Sequence, residues 1–412
     1  MFNSNIISFL EQIKAQGGIP YVVGGAVRDA VLGDSNPTDI DVEVYGITNE
    51  ELVTIAASFG GKASVVGASF GVVKLSHPTL GDIDLSLPRR DNKVSEGYQG
   101  FQVEFDLSMS PMEGASRRDF TFNSLMWNPW EGLLDFFGGN SDLKGGTLRH
   151  VGPAFAEDPL RVLRAMQFAA RFGLRLDPLT SNLCFSLKGE FSSLSQERVG
   201  MEWQKLIIKG QSITMGFQAL VDSGWVDLFP QSEFIRSDEL RAADRAVNIA
   251  NRDNLDSNSK AVLVLAALCQ GMESPLEFLH TIDAHQWVKN NWIVNQVMVL
   301  LSNVKVKVDI NPPSILRFAH LLGKVSIRDF NRLIEANQGD MDWVNNLALM
   351  AKDLGVLDKA PQPLVTGKDL IGLGLKPGPQ FGPLLSKTFQ AQLDMIFSNK
   401  EGGTSWVKNQ LK

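Results

Sequence analysis

Cysteine is nearly missing from this 412-residue chain: there are two, Cys184 and Cys269, far apart and each among apolar neighbours. With no second cysteine near either, neither a disulfide framework nor a cysteine-based zinc site is expected, and a reducing compartment is the default. Long hydrophobic runs are missing as well, since no stretch approaches the ~20 apolar residues that span a bilayer. The opening MFNSNIISFLEQIKAQGG is broken by Glu11 and Lys14 and followed by no small-residue cleavage site, so a signal peptide is not expected. Ile6, Ile7, Leu10 and Ile13 instead fall at helical spacing. A cytoplasmic protein without membrane contact is the expectation. Excess positive charge is lacking too. The net charge of −7 means that any nucleic-acid surface must be a local stripe rather than a property of the whole chain. Two local excesses exist: Arg149, Arg161, Arg164, Arg171 and Arg175, and a lysine-rich stretch from residue 357 onward.

What is present is enough apolar residue, 44 %, to give every domain a core, and enough length for two to four domains. From residue 20 to about 150 the pattern mixes short strands with helices. Tyr21–Val23, Ile40–Val44, Gly71–Ser76 and Asp82–Leu87 read as strands, with glycine and proline clusters as turns between them. After Pro153 the period changes to 3.6, over Asp158–Phe172, Val199–Ile208 and Gly216–Leu220, and the pattern from about 240 to 360 is almost wholly helical, as in Lys260–Leu268 and Trp287–Leu301. A Pro/Gly-rich stretch, Pro361 to Pro383, precedes a last helix. The expected fold class is α+β: a small mixed-sheet head followed by an extended helical neck, body and tail. The divisions expected are 1–150, 151–235, 236–355 and 356–412.

The strongest chemical signal is YVVGGAVRDAVLG followed by TDIDVEV. A buried strand runs into Gly24–Gly25 and a helix opens at once. Glycines let backbone approach a phosphate, and a helix N-terminus offers it free N–H groups. Asp39 and Asp41 are two apart, which on a strand puts both carboxylates on one face about 7 Å apart at Cα. Such a pair can bracket divalent cations for in-line phosphoryl transfer, and its oxygen donors fit Mg²⁺ better than zinc. Glu43 continues that face, while Asp82 and Asp84 lie on a later strand. The strand, Gly-Gly, helix and apolar-flanked DxD together resemble the signature of the nucleotidyltransferase superfamily. A third carboxylate commonly completes the metal site there, and Asp84 is the candidate.

SRRDFTFNSLMWNP sharpens the resemblance. Arg117, Arg118 and Asp119 ahead of an apolar segment would by themselves be an N-cap with flanking charges. Read with the first block, they resemble the RRDFTxN motif of class II tRNA nucleotidyltransferases and bacterial poly(A) polymerases. The resemblance implies that Asp119 accepts from a ribose hydroxyl, that Arg118 lies near the phosphates and that Asn123 supports the site. Gly24, Gly25 and Arg28 join the same nucleotide-binding set. LLDFFGGNSDLKGGTLRHV, with Asp135, Gly139 and Asp142, matches the family's next block.

AFAEDPLRVLRAMQFAARFG follows. Asp158 and Arg161, three apart on a helix, project from one face. One offers acceptors and the other donors, so together they can imitate the edge of a template base. Glu157–Asp158 before Pro159 also makes a plain helix start, but the block resembles the family's EDxxRxxR, from Glu157 to Arg164, whose Asp and first Arg pair with the base. Two further stretches, 194–207 and 366–394, resemble the neck block and the tRNA-holding tail. In the tail Lys368, Lys376 and Lys387 are candidate phosphate contacts. Residues 88–116 show no sustained period, and much of the segment is expected to be mobile; SEGYQGF within it resembles the flexible loop of CCA-adding members.

The family resemblance implies addition of CMP and AMP, from CTP and ATP, to the 3′ end of tRNA with Mg²⁺ as cofactor and no obligate protein partner. The alternatives are an A-adding specialist, a bacterial poly(A) polymerase, or a catalytically silent RNA-binding protein. Some bacterial members also carry a phosphohydrolase domain marked by a His-Asp pair. Here Cys269 and Gln270 stand where that pair is sought, and His280, His285 and His320 show no ligand spacing, so no hydrolase activity is expected. If Asp158 and Arg161 read the base, Asp158→Ala and Arg161→Ala will each lose about tenfold to a hundredfold in discrimination against UTP and GTP. Single-nucleotide incorporation measured with each triphosphate checks this, and unchanged selectivity in both variants returns the pair to a helix-capping role.

Overall fold

The computed structural model describes residues 1–34, 39–59, 62–66, 72–77, 80–93 and 101–411. Two compact units emerge, one formed by 1–202 with 215–226 and the other by 203–214 with 227–412. No helix among the described residues is long and apolar enough to cross a membrane.

In the first unit α1 (Ser4–Ala15) starts where the Asn3 side chain accepts from the Asn5 and Ile6 amides, and it buries Ile6, Phe9, Leu10 and Ile13. β1 (Ile19–Val23), α2 (Gly25–Val31), β2 (Ile40–Tyr45), α3 (Asn49–Ser58), β3 (Lys62–Val66), β4 (Val72–His77) and β5 (Gly81–Ser86) follow. Thr48 and Glu51 form a reciprocal capping box at the start of α3, satisfying amides the helix leaves open. Next come β6 (Arg89–Lys93), β7 (Phe101–Phe105), α4 (Pro111–Ser116), β8 (Met126–Asn128), β9 (Gly132–Leu134), α5 (Gly139–Gly145) and β10 (Thr147–Leu148). The seven-stranded sheet has the order β3-β4-β5-β2-β1-β8-β9. It is mixed: β2 and β5 run parallel and the other neighbours antiparallel.

The period-2 pleat sorts this sheet into two faces. Val42, Val44, Val73, Leu75, Ile83 and Leu85 are fully buried, on the face that α1 and α3 cover. On the other face Tyr21, Val23, Tyr45, Ala115 and Met126 form a smaller core, with Leu134 and Phe137 packed against it. That second core ends at Asp41, where the face opens to solvent.

β11 (Arg175–Leu176) pairs in parallel with β10, bracketing α6 (Leu160–Phe172) between them in sequence. α6 ends at Gly173 in the left-handed conformation, φ +66°, as expected of a glycine C-cap. Phe120, Phe122, Phe155, Phe168 and Phe172 join the RRD segment to α6, with neighbouring ring centroids 5.4 to 6.0 Å apart. α7 (Pro178–Ser186), α8 (Gln196–Lys209) and α9 (Ile213–Asp222) follow.

The second unit is helical: α10 (Ser237–Arg252), α11 (Ser257–Cys269), α12 (Pro275–Thr281), α13 (Trp292–Asn303), α14 (Pro312–Leu322), α15 (Ile327–Ala336), α16 (Met341–Asp353), α17 (Gly367–Gly372), α18 (Phe381–Leu393) and α19 (Lys400–Gln410). Trp203 is fully buried there, with its ring 5.1 Å from Phe229 and 5.5 Å from Phe278.

The α+β reading holds, as a mixed-sheet head plus many helices. Residues 88–116 differ from their expectation: β6 and β7 pair antiparallel from Arg89↔Phe105 to Lys93↔Phe101, and α4 follows. RRDNK has no apolar alternation, so its pairing rests on backbone hydrogen bonds that leave no hydrophobic signature. The start of α4 was legible, since Ser110, Pro111 and Glu113 form a capping box with proline in the first turn. All of SEGYQGF but Phe101, residues 95–100, lies outside the described residues.

Gly139 opens α5 against the RRD segment, and a Cβ there would overlap the Thr121 carbonyl and sit 2.9 Å from Phe122 Cα. Both obstacles are backbone and cannot swing aside. Gly139→Ala is therefore expected to destabilise the first unit by about 1–3 kcal/mol, as overpacking does. Urea denaturation followed by tryptophan fluorescence measures it, and an unchanged midpoint would mean that α5 can retreat freely.

Candidate active site

The open sheet face gathers the acidic residues by register. Asp41 on β2 pairs with Asp84 on the parallel strand β5, and Asp84 pairs with Lys74 on β4. Register partners share a face, so Asp41, Asp84 and Lys74 stand in one row. Lys74 Nζ lies 3.2 Å from Asp84 Oδ2. Asp39 precedes β2 and has φ +56°, a left-handed conformation that aspartate tolerates better than most residues. Its direction is therefore set by that turn and not by the strand pleat, although its charge still acts on Asp41. Burial raises the Asp41 pKa. Arg118 and Lys74 oppose the shift, while the nearby charges of Asp84 and Asp39 add to it.

Gly24, between β1 and α2, has φ +68° and ψ −129°, a region essentially closed to side chains. A Cβ there would meet Arg118 Nη1 at 3.0 Å and Asp41 Oδ2 at 3.9 Å. The turn thus brings bare backbone against a guanidinium and a carboxylate at once. Arg118 Nη2 also reaches Glu43 Oε2 at 3.4 Å. One cation therefore balances the acidic strand next to the Gly-Gly turn.

All donors around Asp41 are oxygens, the chemistry a hard divalent cation prefers. Neighbouring carboxylates that add to the raised pKa of Asp41 are the electrostatic condition a cation relieves. As they stand, no group of three His, Cys, Asp or Glu side chains among the described residues could hold a metal ion. In the head Asp84 is paired with Lys74.

Asp119 is buried and serves as a junction. Its Oδ1 accepts from the Phe120 amide at 2.8 Å and from Asn123 Nδ2 at 3.0 Å. Its Oδ2 accepts from Arg164 Nε at 2.7 Å and Nη2 at 2.6 Å. Both lone-pair positions of each oxygen are thus taken by protein donors. Burial alone would raise the Asp119 pKa, but Arg164, Asn123 and the Phe120 amide outweigh it, and the value is lowered. Asn123 Oδ1 in turn accepts from Arg28 Nη1 at 2.8 Å. Arg28 is buried, chelates Asp29 through Nε and Nη2 at 2.8 and 3.0 Å, and lies 4.5 Å from the Phe172 ring centroid.

On α6, Arg161 donates to the carbonyls of Ala154 at 2.5 Å and Arg117 at 3.0 Å. Asp158 accepts from the Leu160 amide at 3.2 Å and from Arg198 Nη2 at 2.8 Å. Among the described residues these contacts use two of Arg161's five N–H groups and one position on each Asp158 oxygen, which leaves donors and acceptors for a base edge.

The structure therefore brings together Gly24, Gly25, Asp39, Asp41, Asp84 and Arg118 at the sheet, and Arg28, Asn123, Asp119 and Arg164 beneath it. Lys74, Arg198 and Phe172 were not singled out from sequence. Strand register, which places Lys74 beside Asp84, has no signal in a single sequence. In the second unit Lys368, Lys376 and Lys387 are exposed. Cys269 is fully buried and Gln270 Nε2 donates to Asn337 Oδ1 at 3.0 Å. His280 and His285 have ring centroids 4.6 Å apart, beside Asp283.

Residues 20–149 match the family model described as the Poly A polymerase head domain. Among curated proteins, the Multifunctional CCA protein of Nitrosospira multiformis is 40% identical over 206 residues, 50% of this chain and 47% of that protein. That of Pasteurella multocida is 39% identical over 217 residues, 51% of this chain and 49% of that one. The chain thus spans about half the length of the curated relatives it matches. Among solved structures, the Bacillus stearothermophilus CCA-adding enzyme in complex with CTP superposes with TM-score 0.75 at 22% identity, over 98% of this chain and 96% of that one. The Thermotoga maritima CCA-adding enzyme complexed with tRNA gives TM-score 0.65 at 20% identity, over 100% and 96%. At those identities the likeness establishes a shared fold.

The lowered pKa of Asp119 fixes a sign. A carboxylate whose folded pKa lies below its unfolded value of 3.8 stabilises the fold above that value and loses the contribution as pH falls through the folded pKa. Between neutral pH and pH 3 the wild type should therefore lose unfolding free energy more steeply than Asp119→Asn. Urea titrations at several pH values test this, and parallel curves would show that Asp119 is not a buried anion.

Proposed function

We propose that this chain adds CMP and AMP, from CTP and ATP, to the 3′ end of tRNA, forming or repairing its CCA terminus. The observation that carries the reading is the row Asp41–Asp84 with Asp39 beside it, next to a bare Gly-Gly turn and Arg118, in a head of the Poly A polymerase family. Relatives named Multifunctional CCA protein and same-fold structures solved with CTP, ATP and tRNA support the choice of substrates. The setting is cytoplasmic and no obligate protein partner is required. The proposed division remains a nucleotidyltransferase head over 1–150, a base-recognising neck over 151–235, a helical body over 236–355 and a tRNA-binding tail over 356–412.

Asp39 and Asp41 would hold Mg²⁺, with Asp84 as a third carboxylate once released from Lys74. The bound ion would supply Lewis-acid activation of the attacking 3′-hydroxyl and neutralise charge on the triphosphate. The remaining work is positioning and electrostatics by the chain itself. Gly24 and Gly25 let the phosphates approach backbone, and Arg118 sits where charge accumulates as pyrophosphate leaves. Asp158 and Arg161 present acceptors and donors to the base. Asp119 holds Arg164, and a ribose hydroxyl reaches Asp119 only by taking over one of the contacts described. Lys368, Lys376 and Lys387 would meet tRNA phosphates, giving salt-sensitive affinity.

The test is extension of tRNA lacking CCA, and of tRNA ending in CC, with CTP and ATP supplied singly and together. Both substrates should be completed to CCA, the first only when both nucleotides are present. Failure on the first with success on the second assigns an A-adding specialist, and long A tracts on other RNAs assign a poly(A) polymerase. Asp39→Ala and Asp41→Ala should each abolish addition while tRNA binding persists, because these carboxylates serve the metal and not the RNA. A folded variant with near-normal rates in Mg²⁺ contradicts the metal assignment.

A further inference from the structure

The resemblance assigns Arg28, the fourth residue of α2, to the nucleotide contacts, yet its guanidinium is turned to partners inside the protein. It is buried, and its nitrogens go to Asp29 and to Asn123 Oδ1. From Asn123 the hydrogen bonds continue to Asp119 Oδ1, and the opposite oxygen of Asp119 holds Arg164 on α6. The sequence Arg28–Asn123–Asp119–Arg164 is an unbroken chain, buried up to Asp119 and partly exposed at Arg164, from the phosphate-side turn to the helix that carries Arg161. Its polarity is fixed at every joint: Asn123 must accept from Arg28 with its carbonyl and donate to Asp119 with its amide, so only one amide orientation serves both neighbours. Phe172, on the same helix as Arg164, stacks on Arg28 at 4.5 Å and closes the loop.

We propose that Arg28 and Asn123 are positioning residues for base selection, acting through Asp119 to fix the orientation of Arg164 and of the start of α6, where Arg161 stands with Asp158 just before the helix. The proposal rests on the reading of that face as the base-recognition element. Arg28 touches no substrate in this scheme. Its effect reaches the base through two intervening side chains, so the two ends of the incoming nucleotide are read by one connected set of groups. A loosened relay would leave the triphosphate site intact and let the selecting edge tilt.

Asn123→Asp separates this role from mere packing. The aspartate keeps an acceptor for Arg28 and leaves the Phe172 stack untouched, but it removes the donor to Asp119 and sets a second carboxylate against it. Equilibrium binding of CTP, ATP, GTP and UTP to the full chain with Mg²⁺ and no RNA measures selectivity without turnover, with the melting temperature recorded for each variant. Arg28→Met and Asn123→Asp should each lose about tenfold in preference for CTP over GTP. The double variant should lose no more than the worse single one, because both break the same chain. Arg28→Lys should regain part of the loss, since an ammonium can donate to Asn123 but cannot also chelate Asp29. Wild-type selectivity in folded Asn123→Asp overturns the relay, and so does a deficit confined to Arg28→Met, which would assign Arg28 to packing alone. Should Arg28→Met fail to fold, Asn123→Asp and Arg28→Lys decide the matter. A wild type that selects CTP and ATP yet never extends tRNA refutes the proposed function and leaves the relay standing.

Discussion

One buried carboxylate holds this site together. Asp119 is an anion almost without solvent, and such a group is stable only where its neighbours satisfy it completely. Arg164 supplies a two-nitrogen grip on one oxygen, while Asn123 and the Phe120 amide occupy the other. The Phe120 amide and Asn123 belong to the RRD segment itself and Arg164 to α6, so satisfying the charge fixes α6 and the RRD segment against each other. The phenylalanine cluster around Phe120, Phe122 and Phe168 gives the same junction its apolar weight. Apolar packing alone would permit small rotations of α6; the directional contacts to Asp119 remove that freedom.

The acidic face is built on a different principle. There the sheet register does the placing: a parallel pair sets Asp41 beside Asp84, and the next strand sets Lys74 beside Asp84. The carboxylates here repel one another and are partly balanced by Arg118 and Lys74. Such an arrangement is poised for a cation and a polyanion, whereas the Asp119 junction is closed and internally complete. The two meet at the Gly24 turn, where Arg118 touches both the glycine and the acidic strand.

Much of this was legible in the residues. Gly-Gly after an apolar strand and DxD on the next announce a local geometry, because strand period is a local rule; Asp158, expected on one helix with Arg161, instead has extended backbone just before α6 begins at Leu160. The long helices of the second unit were visible for the same reason. What stayed hidden was everything set by register or by polar contacts between distant segments. Nothing near Lys74 in sequence points to Asp84, and nothing in GGAVRD shows that Arg28 turns inward to Asn123. Asp39 is a milder case: two residues from Asp41, it was assigned by strand period to the same face, but its positive φ places it in the turn before the strand. The β6–β7 pair went unseen because one partner, RRDNK, carries no hydrophobic code.

The central claim is that Asp119 governs how the base is chosen without touching the chemistry at Asp39 and Asp41. Asp119→Asn is nearly isosteric, keeps an acceptor for Asn123, and replaces the oxygen that grips Arg164 with a donor. The decisive measurement is the ratio of CTP to GTP affinity in this variant, taken alongside its Mg²⁺ affinity. A collapse of the ratio by about tenfold or more, with Mg²⁺ binding unchanged, is the result the account predicts. A folded Asp119→Asn protein that still prefers CTP as strongly as the wild type would contradict it.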